Sequence, residues 1–335
     1  MLRVVPDARS CPAADDDTAR APTADAPIFV VLNAGSGHGD RGATRAAIQG
    51  VLEASGRPHR LLVVDDPAGL PAVAAEAVAL AHAAGGIVVA AGGDGTLNTV
   101  AQAVLGSGCI FGVLPQGTFN YFGRAHGIPA DTAAATRLLL TARAHPVQVG
   151  LVNDKVFLVN ASLGLYPQLL EDREAWKRRL GRSRLVAFGA ALATLLRAHR
   201  RLKLRVTHRG REMAVRTPTL FVGNNRLQME QVGTVQAFEE GSLAGIMLRP
   251  VGVLGMLWLV LRGALARLAD ADNVTAFGFD HLTVRVRRFA GRRSFKVATD
   301  GEVTRLPLPL VFRVSPDPLW LLKPEPGATT AGTPP

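Results

Sequence analysis

Ile87-Val88-Val89-Ala90-Ala91-Gly92-Gly93-Asp94-Gly95-Thr96-Leu97-Asn98 is the stretch whose reading decides the fold. An apolar run ends in a glycine turn that holds one carboxylate. Leu97, Val100, Ala101 and Val104 then recur at helical spacing, so the stretch reads as a buried strand, a turn and a helix. Adjacent glycines let the backbone approach a ligand and adopt angles that a Cβ forbids. Freed N–H groups and a helix start make an anion site. Asp94 is a poor choice beside a bare phosphate. It is a good one if a metal ion, or a hydroxyl that must lose its proton, sits between carboxylate and phosphate. The other reading is an ordinary strand–turn–helix corner with Asp94 as the helix N-cap.

Working outward, 28–32 reads as a strand running into a second glycine-rich turn, Asn33-Ala34-Gly35-Ser36-Gly37. A helix is expected over 42–55, a strand over 59–64 and an Ala-rich helix over 71–84. After 87–91 come a helix over 98–105 and a strand over 110–114, which ends in Pro115-Gln116-Gly117-Thr118-Phe119-Asn120. Alternating strands and helices imply a parallel sheet with helices on both faces. Turns that follow its strands can converge on one nucleotide at their carboxyl ends. Beyond about 147 the pattern changes to strands over 147–151, 155–162, 202–208, 213–223, 245–249, 281–286 and 294–298. Helices over 166–200, broken near Gly181, and over 251–268 interrupt them. The expected fold is therefore an α/β nucleotide-binding domain plus a β-rich, sandwich-like second domain with helical insertions. The expected boundaries are a disordered tail over 1–26, the α/β domain over 27–147 and the β-rich domain over 148–303. A segment over 304–323 packs back on the first domain, and a second disordered tail covers 324–335.

A chain of 335 residues that is 48% hydrophobic can fill two cores. Cys11 and Cys109 lie far apart, which fits a reducing, cytoplasmic setting rather than a disulfide. The run 251–261 is too short to span a bilayer. The net charge is +11, and residues 173–216 hold fourteen Arg or Lys against Glu174 and Glu212. Such a block seeks phosphate-rich surfaces. With only 5% aromatic residues, the basic-aromatic pattern of nucleic-acid modules is missing, so an anionic membrane surface is the expected partner and nucleic acid is not. The apolar helix over 185–196 inside that block reads as interfacial, or as a core helix with basic ends.

No Gly-Lys pair, His-Arg-Asp, Asp-Phe-Gly, Gly-x-Ser-x-Gly or His-Glu-x-x-His occurs, so P-loop, protein-kinase, hydrolase-elbow and zincin chemistry are absent. What remains is Asn33-x-x-Ser36-Gly37, Gly92-Gly93-Asp94-Gly95-Thr96-x-Asn98, Leu114-Pro115-Gln116-Gly117-Thr118-x-Asn120 and Asp300-Gly301-Glu302. In this order they resemble the diacylglycerol kinase catalytic-domain family, which includes bacterial soluble lipid kinases and sphingosine kinases. The first Gly-Gly-Asp-Gly-Thr element is shared with NAD kinases. Leu114-Pro115-Gln116-Gly117-Thr118-x-Asn120 and Asp300-Gly301-Glu302 make the lipid-kinase likeness more specific.

The resemblance implies ATP and Mg²⁺ in a cleft between the domains and a lipid alcohol as acceptor. It places Asn33, Ala34, Gly35, Ser36, Gly37, Gly92, Gly93, Asp94, Gly95, Thr96, Leu97, Asn98, Gly117, Thr118 and Asn120 around the nucleotide. Asp94 would position phosphate or metal, and Asp300 or Glu302 would take the proton of the lipid hydroxyl. Asp65 or Asp66 stands where the family usually has a threonine that meets the nucleotide. Glu240-Gly241-Ser242 stands where bacterial members carry an Asp-Gly segment that supports a structural Mg²⁺, leaving Glu240 and Ser242 as substitute ligands. Taken without the other motifs, Asp300-Gly301 is a favoured hairpin pair. An NAD kinase-like enzyme and a catalytically silent lipid or nucleotide binder remain open as alternatives. The oligomeric state is also open, a homodimer included.

Overall fold

The computed structural model describes residues 19–33, 41–117, 119–164, 167, 202–208, 211–224, 241–248, 274–286 and 293–325. The expected helices over 166–200 and 251–268, both ends of the chain and most of the basic block lie outside them.

The first domain runs β1 (Ile28–Asn33), α1 (Arg41–Ala54), β2 (His59–Val64), α2 (Leu70–Ala84), β3 (Ile87–Gly92), α3 (Asp94–Val104) and β4 (Ile110–Pro115). It continues through α4 (Tyr121–Ala125), α5 (Thr132–Thr141) and β5 (Arg143–Val147). β3 is buried along its whole length, as expected of a central strand covered on both faces. Strands β1 to β4 pair in parallel, in the order β2-β1-β3-β4. The sheet is not purely parallel. β18 (Leu319–Lys323) joins parallel to β4, and β5 closes the edge antiparallel to β18. α2 belongs to a segment, Pro67–Ala84, that is long and apolar enough to cross a bilayer. Its Leu70, Ala74, Ala77 and Ala81 are instead buried in the domain core.

Among the described residues the second region holds two six-stranded sheets. The first has the order β10-β9-β14-β17-β6-β7, built from Arg211–Thr217, Leu202–His208, His281–Val286, Leu310–Val314, Gly150–Val152 and Lys155–Phe157. The second has the order β13-β12-β11-β8-β15-β16, built from Val274–Phe279, Leu243–Leu248, Thr219–Gly223, Asn160–Gly164, Ser294–Thr299 and Glu302–Pro307. Leu204, Val206, Leu282, Val284 and Phe312 of the first sheet share one buried cluster with Leu163, Leu220, Val222 and Val297 of the second.

Several expectations need correction. The helix after β3 begins at Asp94 rather than near Asn98, because extended Gly93 serves as its N-cap. The strand expected over 213–223 breaks at Pro218, and its halves join different sheets. Proline has no N–H for a ladder. The strand expected over 155–162 breaks likewise, at Leu158-Val159, where the chain crosses between sheets. Apolar alternation cannot show a change of sheet, because both sheets bury one face in the same core. The stretch 304–323 divides: β16 and β17 stay in the second region and only β18 returns to the first sheet. The segment just before residue 27, expected as part of a tail, makes defined contacts with the first sheet. Arg20 exchanges two 2.8 Å backbone hydrogen bonds with Ala144 of edge strand β5, and its guanidinium lies 3.5 Å from the centre of the Trp320 ring.

Candidate active site

The turns after β3 and β4 meet backbone to backbone. A Cβ on Gly117 would come within 2.9 Å of Asn120 Oδ1 and 3.2 Å of the Gly93 Cα, so Gly117 has no room for a side chain as the turns close. Asn120 shapes the second turn, with φ of 48° and its Oδ1 accepting from the Gly117 N–H at 2.9 Å. Asp94 stands where the turns converge. The N–H groups of Phe122, Asn120 and Tyr121 approach its carboxylate. Its Oδ1 is buried and has no hydrogen-bond partner among the described residues. Burial first, and the charge of Asp300 second, push the Asp94 carboxyl above its usual range, while those three N–H groups pull it down.

The second region contributes the β15–β16 hairpin. Thr299 pairs with Glu302 across a two-residue turn of Asp300 and Gly301, with φ of 49° and 90°. That is the geometry for which Asp-Gly is favoured. The turn reading and the functional reading of this motif are therefore compatible.

The two acids of the hairpin have different surroundings. The Asp300 carboxylate accepts from Asn98 Nδ2 at 2.7 Å, Leu158 N at 2.7 Å, Val159 N at 2.9 Å and Asn160 N at 2.9 Å. Burial raises its carboxyl, and these donors oppose the rise. Each oxygen receives two N–H groups, which fills the acceptor sites of an ionised carboxylate. A proton on Asp300 would have to displace a donor. Asp300 therefore acts as a fixed anion that holds the Leu158–Asn160 crossover. Glu302 is exposed, at the start of β16. Its carboxylate lies against Gly95 so closely that a Cβ on Gly95 would overlap it. Gly95 is in the first turn of α3, where the helix start favours a negative charge.

Helix α3 also ties the two regions together. Asn98 Nδ2 donates to Val156 O at 2.9 Å as well as to Asp300. One turn further on, Gln102 Nε2 donates to Asp154 O at 3.0 Å and its Oε1 accepts from Val156 N at 2.8 Å. Two amides on one helix face thus satisfy the open edge of β7, the last strand of its sheet.

Several residues read from the sequence as nucleotide contacts also take part in the fold. Leu97 is fully buried in the core. Thr96 Oγ1 is buried and accepts from Asn33 Nδ2 at 2.9 Å, joining the ends of β1 and α3. Gly92 makes room for the Thr96 side chain. Asn98 and Asn120 are committed as described above. Asp65 is exposed at the end of edge strand β2, and Asp66 caps the following turn by accepting from Ala68 N. Ala34, Gly35, Ser36, Gly37, Thr118 and Glu240 lie outside the described residues. Ser242 is buried and its carbonyl accepts from Gln148 Nε2 at 2.9 Å. Among the described residues no cluster of three or more metal-ligating side chains occurs. The Leu158–Asn160 N–H groups and Gln102 were not read from the sequence. The first are backbone groups with no residue signature, and an amide on a helix face looks like ordinary solvated surface.

Glycine turns after two neighbouring parallel strands, an acid at the helix start and an acidic hairpin from the second region thus come together at one place. Residues 27–152 match the diacylglycerol kinase catalytic domain family. The diacylglycerol kinase resemblance carried by the motifs thus holds for the first domain. The chain is similar to a probable lipid kinase YegS-like of Klebsiella pneumoniae, 44% identical over 79 residues, covering 23% of this chain and 27% of that protein. It is also similar to a probable lipid kinase YegS-like of Pseudomonas aeruginosa, 42% identical over 122 residues, covering 36% and 39%. The matched stretches thus span well under half of those relatives. In fold it is similar to a putative diacylglycerol kinase of Bacillus anthracis, with a TM-score of 0.67 at 20% identity over 90% of this chain and 98% of that one.

Two expected results follow from the geometry around the diacylglycerol kinase motif. Gly95→Ala should raise helix propensity yet push the Glu302 carboxylate aside. The fold should persist, and turnover should fall on the order of 10²-fold, as a misplaced catalytic group can cost. Steady-state rates beside a melting curve would check this, and unchanged turnover would show that Glu302 need not sit there. Asp94→Asn removes a carboxylate whose pKa is raised in the folded state. Such a group costs stability once the pH has risen through that raised value, and costs none below the ordinary carboxylate range. The variant should therefore melt higher than the parent at neutral pH, with the gap closing as the pH falls below about 4. A series of melting midpoints from pH 3 to 8 reads it directly.

Proposed function

We propose that this chain is an ATP-dependent lipid kinase that transfers the γ-phosphoryl group to the hydroxyl of diacylglycerol or a related lipid alcohol, acting at the cytoplasmic face of a membrane. The observation that carries the reading is the meeting of Asp94, whose buried Oδ1 has no partner among the described residues, and the Asp300–Glu302 hairpin of the other region. The N–H groups of the glycine turns and the start of α3 suit phosphate oxygens. Glu302 is the base: exposed and, among the described residues, not held by a donor set, it accepts the proton as the acceptor oxygen attacks. The O–H bond breaks, a bond from oxygen to the γ-phosphorus forms, and the bond to the β-phosphate oxygen breaks with its electron pair leaving on ADP. Asp300 keeps its charge throughout and positions the hairpin.

Mg²⁺ takes few protein ligands and completes its shell with phosphate oxygens and water. Asp94 fits that demand, and the ion would neutralise charge on the transferring group. Ser242 is set among Gln148 and Asn224 in the second region, and with Glu240 undescribed no step is assigned to a second metal.

The test is transfer from labelled ATP with Mg²⁺ to vesicles that carry a panel of lipid alcohols, with NAD and soluble alcohols in parallel. Lipid labelling that vanishes in Asp94→Asn and Glu302→Gln supports the reading. Labelling of NAD or a soluble acceptor instead would transfer the case to a small-molecule kinase, and ATP binding with no transfer to any acceptor would make the chain a silent binder.

A further inference from the structure

The first sandwich sheet has one face in the core and one facing away from it. Leu204, Val206, Leu282, Val284, Leu310 and Phe312 are buried inward, so the alternate residues of β9, β14 and β17 point outward. The strands β10-β9-β14-β17 present Lys203, Arg205, Arg216, Arg285 and Arg313 on that outer face. Its register is unusual. Arg205 lies directly opposite Arg285 on β14, and Lys203 directly opposite Arg216 on β10.

Like charges placed opposite one another across antiparallel strands destabilise a sheet. The acids near this face are few. Glu212 reaches Arg205 at 3.4 Å, Asp154 lies 4.0 Å from Arg313, and Asp280 caps the His281 N–H at the margin. Lys203, Arg216 and Arg285 have no ion pair among the described residues. A local rule broken twice on one face, with Glu212 and Asp154 reaching only two of its five cations, marks a surface selected for something other than stability.

We propose that this outer face docks on a bilayer that carries anionic headgroups. A sheet offers a two-dimensional array of cations, which complements a plane of phosphates better than a single groove would. The face carries no Phe, Tyr or Trp on which a base could stack, His281 being its one aromatic ring among the described residues. The docking rests on the lipid-kinase reading for its purpose, since the acceptor hydroxyl lies in such a membrane. Arg285 and Arg313 fall outside the basic block of the sequence, and only strand pairing places Arg285 opposite Arg205 and brings Arg313, opposite His281, onto the same face.

The experiment compares the full chain with Arg205→Glu/Arg285→Glu and with Arg285→Glu alone. Flotation with phosphatidylcholine vesicles, with and without phosphatidylserine, reads binding. Transfer to a lipid alcohol in neutral detergent micelles reads catalysis separately. The parent should prefer the anionic vesicles, and the double variant should bind them at least about tenfold more weakly, given roughly tenfold per few charges near such a surface. Micelle activity should not change. Arg285→Glu places opposite charges across the strands, so its melting midpoint should hold or rise. Unchanged vesicle binding in the double variant overturns the docking. So does a parent that binds a duplex oligonucleotide more tightly than the vesicles, which would make nucleic acid the partner. Vesicle binding lost as expected with no micelle activity in the parent would uphold the surface and sink the kinase.

Discussion

Asp300→Ala is expected to lower folding stability by about 3–5 kcal/mol, the cost of leaving several buried donors without their shared acceptor. The carboxylate is the acceptor for the backbone N–H groups of Leu158, Val159 and Asn160 and for the Asn98 amide. Those groups lie where the chain crosses from one sandwich sheet to the other and where α3 meets the second region. Alanine at φ of 49° adds roughly 1 kcal/mol of backbone strain. Asp300→Gly removes that second cost and should keep most of the first. Urea denaturation at unchanged slope reads both. If both variants were as stable as the parent and only turnover were lost, Asp300 would be the base after all, and the fixed-anion assignment would be wrong.

Glu302→Gln is expected to do the opposite. Its side chain is exposed and no hydrogen bond of the fold depends on it among the described residues, so the midpoint should not move. Loss of a general base typically lowers turnover by about 10²–10⁴-fold. The loss should fall on kcat rather than on the apparent affinity for ATP, because glutamine fills the same space beside Gly95. A variant that kept parental turnover would leave the proton to another acceptor. The two substitutions, two residues apart on one hairpin, separate holding the site together from acting in it.

The first domain was legible because its signals are local. The apolar run before Gly92 and the helical spacing after Asp94 each declare themselves within a few residues, as does the Asp300-Gly301 turn of the second region. The mixed hydrogen-bond pattern of its sheet was not legible, since β18 reaches it from the far end of the chain and Leu319 and Leu321 look like any short apolar strand. The breaks at Pro218 and at Leu158-Val159 were misread for a related reason. A strand that changes sheets keeps the same alternation, because both sheets face one core. The segment before residue 27 was taken for a tail on composition, yet Arg20 finds a strand edge and an aromatic ring that composition does not reveal.

The site divides in the same way. Residue type and order along the chain determined which residues could carry phosphoryl transfer: two glycine turns, Asp94 at a helix start, and a pair of acids beside a turn. Tertiary structure alone decided which of them are free to act. Asn98, Thr96, Asn120 and Leu97 sit within the motifs but are committed to Asp300, Asn33, Gly117 and the core. Asp300 and Glu302 look alike in sequence and differ because four N–H donors converge on one and a missing Cβ makes room for the other. The reason is physical. A carboxylate's chemistry depends on what fills its lone pairs, and those groups come from segments more than a hundred residues away.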